Sequence, residues 1–242
     1  MIFKDCQKLS LKGSLNSLTN LEYLDISDNK IIRDLSNLTK LKTLICGGCW
    51  NLTQNSLNQL INLEYLHISI NNGITDLSNL TNLKTLICVN CLNLSEESLS
   101  KLTKLQYLDI SNNDQIEYLP KLTNLETLIC RRCPNLSQHS LNQLTNLEYL
   151  NISNNNQITD ISNLINLKTL FCEYCPISNN AINSLTNLEL LDISGNRRIK
   201  NLSNLTKLRT LYCRWCLNLS EHSIYRLKSL GCRVITEQEF RN

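Results

Sequence analysis

The residues with the clearest chemical capacity are five Cys-x-x-Cys pairs: Cys46/Cys49, Cys88/Cys91, Cys130/Cys133, Cys172/Cys175 and Cys213/Cys216. Taken singly, such a pair can hold half of a zinc site or run thiol–disulfide exchange. Zinc needs four ligands, with sulfurs within roughly 4 Å of one another at Zn–S bonds near 2.3 Å. The chemistry therefore depends on how close the chain brings one pair to the next. Acid–base candidates are few. There are three histidines, His67, His139 and His222, and no glycine-rich phosphate loop. Asp25 and Asp109 lie far from His67 in sequence, and Ser69 stands two residues beyond it. No nucleophile, base and orienting acid fall into a triad pattern.

The elements that must position these residues come from a repeat. LTNLEYLDIS, INLEYLHIS, LTKLQYLDIS, LTNLEYLNIS and LTNLELLDIS begin at or near Leu18, Leu60, Leu102, Leu144 and Leu185. Between them stand LTKLKTLICGGC, LTNLKTLICVNC, LTNLETLICRRC, LINLKTLFCEYC and LTKLRTLYCRWC, starting at Leu38, Leu80, Leu122, Leu164 and Leu205. The two kinds alternate in steps of 20 and 22 residues, with one step of 21, so the period is a 42-residue pair. Each unit places Leu, then Leu three on, then an apolar residue two further: Leu21, Leu24, Ile26 and Leu41, Leu44, Cys46. The last two have strand spacing. A strand this short is buried only by stacking on copies of itself, as a parallel sheet. Three residues on comes Asn in the first kind (Asn29, Asn71, Asn113, Asn155, Asn196) and Cys in the second. Either can satisfy backbone groups turning inside the coil. Thr53, Ser95, Ser137, Ser178 and Ser220 stand where N-caps of short return helices belong.

The motif Leu21-x-x-Leu24-x-Ile26-x-x-Asn29, repeated ten times over residues 18–226, resembles the leucine-rich-repeat family. The second kind is similar to the cysteine-containing subclass of ubiquitin-ligase substrate receptors. The first is similar to short bacterial and phosphatase-regulator types. The resemblance implies an α/β right-handed solenoid, with a parallel concave sheet and short helical or irregular convex segments. It also implies protein–protein recognition without catalysis.

In that frame successive second-kind strands are separated by a first-kind strand, so the cysteine pairs lie about 10 Å apart. Metal and disulfide bridging between pairs then fail, and the thiols are expected to be buried, reduced and structural. A metal or redox protein remains the rival from another class, separable by elemental analysis. No cofactor is expected.

The exposed columns carry the functional expectation. One alternates charge (Glu22, Lys42, Glu64, Lys84) and another alternates Tyr23, Thr43, Tyr65, Thr85, both following the repeat. Three others break it: Ile45, Ile87, Ile129, Phe171, Tyr212; Gly47, Val89, Arg131, Glu173, Arg214; and Gly48, Asn90, Arg132, Tyr174, Trp215. Small residues give way to arginine and aromatics, the types that dominate interface hot spots. Arg131, Arg132, Phe171, Tyr174, Tyr212, Arg214 and Trp215 are therefore the candidate partner-binding residues.

The chain reads as one repeat domain, with a truncated first repeat at 1–17, regular repeats at 18–226 and a C-terminal cap at 227–242. In that cap Leu227 and Leu230 start a last strand and Arg233 takes a core slot. The partner expected is a protein. The net charge of +3 is too mild for nucleic acid, and no apolar run is long enough for a membrane. Ile2 and Phe3 at an open sheet edge leave two readings, cover by a second copy in a homodimer or by a partner chain, or self-capping. Reduced cysteines point to an intracellular, cytoplasmic protein. The alternative is a substrate-receptor or effector fragment whose signalling domain is lost or lies on another chain.

Overall fold

The computed structural model describes residues 15–236, apart from the Asn16 side chain. The expectations for Ile2, Phe3 and residues 237–242 lie outside these. The chain forms two compact units, residues 1–125 and 126–242. In the first, strands β1 (Tyr23–Asp25), β2 (Thr43–Ile45), β3 (Tyr65–His67), β4 (Thr85–Ile87) and β5 (Tyr107–Asp109) pair in parallel, each with the next. In the second, β6 (Thr127–Ile129), β7 (Tyr149–Asn151), β8 (Thr169–Phe171), β9 (Leu190–Asp192), β10 (Thr210–Tyr212) and β11 (Arg233–Ile235) do the same.

Every strand is three residues long, and its central residue points into the core: Leu24, Leu44, Leu66, Leu86 and Leu108 are fully buried. The pairing outlasts the strands. The Ile26 amide bonds the Ile45 carbonyl and the Asp28 amide bonds that of Gly47, so the ladder runs into the following turn.

The return segments alternate as expected. Among the described residues only second-kind repeats return through α-helix: α1 (Gln54–Asn58), α2 (Glu96–Leu99), α3 (Gln138–Asn142), α4 (Asn179–Asn183) and α5 (Glu221–Ser229). Thr53, Ser137, Ser178 and Ser220 cap them by accepting the backbone N–H three residues on. Ser95 holds the N-cap position without that bond.

The asparagine-rich composition is a set of inter-repeat ties. Asn113 Nδ2 donates to the Cys88 and Ile110 carbonyls, and its Oδ1 accepts the Cys91 amide at 2.7 Å. Asn155 repeats this with Cys130, Ile152 and Cys133. A second Asn series, at Asn62, Asn82, Asn124, Asn166 and Asn187, donates to carbonyls of the preceding repeat. A third does so from Asn51, Asn93 and Asn218.

The last repeat departs from the sequence expectation. α5 runs through Leu227, and Leu230 is its exposed C-cap rather than the start of a strand. Arg233 pairs with Thr210, on the solvent side, and Val234 takes the core slot opposite Leu211. Gly231, at φ +85°, supplies the turn that shifts the register by one.

Candidate protein interface

The turn after each strand is the same in every repeat. The residue just before each ladder Asn or Cys lies in the left-handed region. In the first-kind repeats these are Asp28, Ile70, Asn112, Asn154 and Gly195, at φ between 58° and 74°. In the second-kind repeats they are Gly48, Asn90, Arg132, Tyr174 and Trp215, at φ between 51° and 71°. Gly, Asn and Asp take that conformation readily, whereas larger side chains carry a cost of about 1–2 kcal/mol. Arg132, Tyr174 and Trp215 thus occupy positions where the backbone favours something smaller. All three are exposed.

Their surroundings are built around them. The Tyr174 and Trp215 rings stack at 6.2 Å between centroids, 24° from parallel. Gly195 lies between their two turns. A Cβ there would meet Tyr174 Cδ1 at 2.4 Å, so the glycine makes room for the ring. Phe171 is half-buried against Tyr149, with centroids 5.8 Å apart. Tyr212 and Arg214 are also half-buried, and Arg131 is exposed. Glu173 stands between Arg131 and Arg214 in its column. Burial and then the neighbouring Asp192 carboxylate push its carboxyl up, while the Arg131 and Arg214 charges pull it down. The second unit therefore holds all seven candidate side chains.

At its second-kind turns the first unit carries smaller residues, and its one large residue on left-handed backbone is Ile70 in a first-kind turn. Gly47 and Gly48 follow β2, and Val89 and Asn90 follow β4. Its alternating charge column forms exposed ion pairs, Lys42–Glu22 at 3.1 Å and Lys84–Glu64 at 2.7 Å. Pairs of this kind contribute little, about 0–1 kcal/mol. His67 Nε2 lies 2.9 Å from Ser69 Oγ, a contact the sequence did not reveal. The same pair of positions is bonded down the series, where Asp25, Asp109, Asn151 and Asp192 each accept the backbone N–H of the serine two residues on. His67 replaces a turn-forming Asp, and burial holds its pKa below the ordinary imidazole value.

The cysteines divide into two roles. Cys49, Cys91, Cys175 and Cys216 donate Sγ–H to the carbonyls of Ile26, Ile68, Ile152 and Ile193 at 2.9–3.2 Å. They do for second-kind repeats what the buried asparagines do for first-kind ones. Cys46, Cys88, Cys130, Cys172 and Cys213 point into the core. Burial pushes the thiols up, to about 12 for Cys49 and Cys213 and about 11 for Cys91, Cys175 and Cys216. A thiol so held is a poor nucleophile and a poor metal ligand, because both need the thiolate. Among the described residues no disulfide joins any of the eleven cysteines, and no cluster of His, Cys, Asp or Glu is placed to hold a metal ion.

No protein-family model and no curated protein matches the sequence. Solved structures do. An internalin, InlF, from Listeria monocytogenes is similar over 90% of this chain and 74% of its own, at 27% identity and a TM-score of 0.69. The functional domain of InlJ from the same organism, described as including a cysteine ladder, matches 85% of this chain at 26% identity and a TM-score of 0.64. This chain spans only 51% of that one. Rad7, solved with Elc1 from yeast, matches 99% of this chain and 81% of its own at 18% identity and a TM-score of 0.55. The chain has the leucine-rich-repeat fold.

For a leucine-rich-repeat chain the column arithmetic was readable without coordinates, and it brought the seven candidates onto one unit. The left-handed turn was missed, although its signal was present. Gly48, Asn90, Asn112, Asn154 and Gly195 are the types such a turn selects, and they stand in register with Arg132, Tyr174 and Trp215. No helix among the described residues is long and apolar enough to cross a membrane.

Proposed function

We propose that this leucine-rich-repeat chain is a non-enzymatic scaffold that binds a protein partner through the second unit. Contact is made by the solvent side of its sheet and the adjoining turns, with Arg131, Arg132, Phe171, Tyr174, Tyr212, Arg214 and Trp215 as the contact residues. One observation carries the reading. Arg132, Tyr174 and Trp215 are exposed side chains on left-handed backbone, which lowers stability, while Gly48 and Asn90 fill the equivalent second-kind turns of the first unit and, among the first-kind turns, Ile70 alone is large. Strain held at an exposed surface marks a site of use. The repeat fold of the solved neighbours supports a binding role. In this reading the thiols stay reduced and unmetallated, held as neutral donors to backbone carbonyls, which suits a reducing intracellular setting.

Affinity capture with the intact chain, set beside a Tyr174→Ala, Trp215→Ala double variant, tests it. Captured partners should be lost with the variant, while both proteins melt at the same temperature. Retention of the same partners by the variant would overturn the assignment.

A further inference from the structure

We infer that the turns of the second unit take an acidic, extended peptide segment whose carboxylates stand about six residues apart. The inference rests on the docking reading above and gives its partner a chemistry. Residues 126–242 carry thirteen Lys and Arg against nine Asp and Glu, a net of +4. Residues 1–125 carry eleven against twelve, a net of −1. The basic excess concentrates on one edge. Arg131 and Arg132 follow β6, Arg197 and Arg198 follow β9, and Arg214 follows β10, with Glu173 as the acidic residue among them. Arg132 and Arg197 are exposed, and Arg198 is tied to the Pro176 carbonyl at 3.0 Å.

Spacing sets the register. Arg131 and Arg214 follow strands four steps apart, which at about 4.8 Å per strand is about 19 Å. An extended peptide rises about 3.3 Å per residue, so about six residues span the two. Between them the partner passes half-buried Glu173, where a carboxylate would be repelled, and the Tyr174–Trp215 stack, where an apolar side chain fits. A polyanion with a charge on every unit would meet that carboxylate, whereas spaced acidic residues avoid it. The overall pI of about 8.2 also falls short of the values near 9 and above that mark nucleic-acid binders. Arginine pairs with carboxylates through two parallel hydrogen bonds, which suits isolated acidic side chains.

The test is a random peptide library displayed on phage, panned on the full chain and counter-selected on the Tyr174→Ala, Trp215→Ala variant. Enrichment of clones with Asp or Glu six apart is the expected result. A synthetic peptide from such a clone should lose at least tenfold in affinity when its acids become amides, and likewise against Arg131→Ala. Variant-sensitive clones without acidic enrichment would overturn the inference and leave the docking reading standing. Clones insensitive to the variant would count against both. A labelled oligouridine that binds more tightly than the acidic peptide would overturn the inference in favour of nucleic acid.

Discussion

Residues 15–125 and 126–236 are built from the same pair of repeats, yet their turns differ. In the first unit the second-kind turns carry Gly47, Gly48, Val89 and Asn90. In the second they carry Arg131, Arg132, Glu173, Tyr174, Arg214 and Trp215. Core leucines, ladder asparagines and thiols are alike in both. Scaffold and surface are therefore separable in this chain. What the units share is fixed by folding, and what they do not share is free to be used. A property that follows the repeat period needs no function, while a property that breaks it and carries a folding cost does.

The largest expected effect tests the shared part. Folded thiol pKa values lie above the ordinary value near 8.5, about 12 for Cys49 and Cys213 and about 11 for Cys91, Cys175 and Cys216, with Cys46 and Cys172 also pushed up by burial. Below about pH 8.5 the thiols are protonated in both folded and unfolded chains, and their contribution is intact. Above it the unfolded chain sheds protons that the folded chain keeps, so stability falls as pH rises towards 11–12. Each deeply held thiol contributes up to about 1.4 kcal/mol per pH unit to that slope. Cys46, Cys49 and Cys91 lie in one unit, and Cys172, Cys175, Cys213 and Cys216 in the other, so both should unfold in alkali. Denaturant midpoints measured from pH 7 to 11 check this. A flat profile above pH 9 would mean the thiols are not buried as described, and alkaline loss in one unit alone would break the equivalence.

Next in size are core truncations. Leu108→Ala in β5 and Leu170→Ala in β8 each remove a fully buried side chain. Each should cost about 2–5 kcal/mol. Tyr212→Ala, on a half-buried exposed-face side chain, should cost much less. Urea titration of the three variants compares them. A Tyr212 loss as large as either leucine would place that ring in the core and remove it from the interface.

Much of this was legible in the sequence because the repeat supplies its own alignment. Ten copies of Leu-x-x-Leu-x-apolar fix which side chains face inward, and the 42-residue period separates Asn-type from Cys-type turns. The N-caps at Thr53, Ser137, Ser178 and Ser220 followed from position alone. Legibility failed where the period ends. Gly231 inserts a turn before β11, and the resulting one-residue shift puts Val234 rather than Arg233 in the core, which a template extended from earlier repeats could not show. It also failed where a side-chain column hides a backbone property. The left-handed turn is invisible in Arg132, Tyr174 or Trp215 taken alone, because those residues are there in spite of the backbone.

The smallest effect is the most discriminating, because it exchanges the one feature by which the units differ. Arg132→Gly removes a large side chain from left-handed backbone in the second unit. Arg132 is exposed, so little packing is lost, and relief of the φ penalty should leave the protein as stable as before or more stable by about 1 kcal/mol. Binding should fall in the same variant. The reciprocal change, Gly48→Trp, imposes on the first unit what Trp215 has in the second. At φ +71°, and with Asp28 Oδ1 2.4 Å from where the Cβ would sit, it should cost about 1–2 kcal/mol. Asp28 can swing aside, so the backbone sets most of that cost. Thermal melts of the two variants, read beside peptide binding, give opposite signs for stability and function if the aromatic and basic turns are held against folding preference. If Arg132→Gly destabilises the chain while Gly48→Trp is tolerated, the large residues are there for folding, and the case for an interface on the second unit fails.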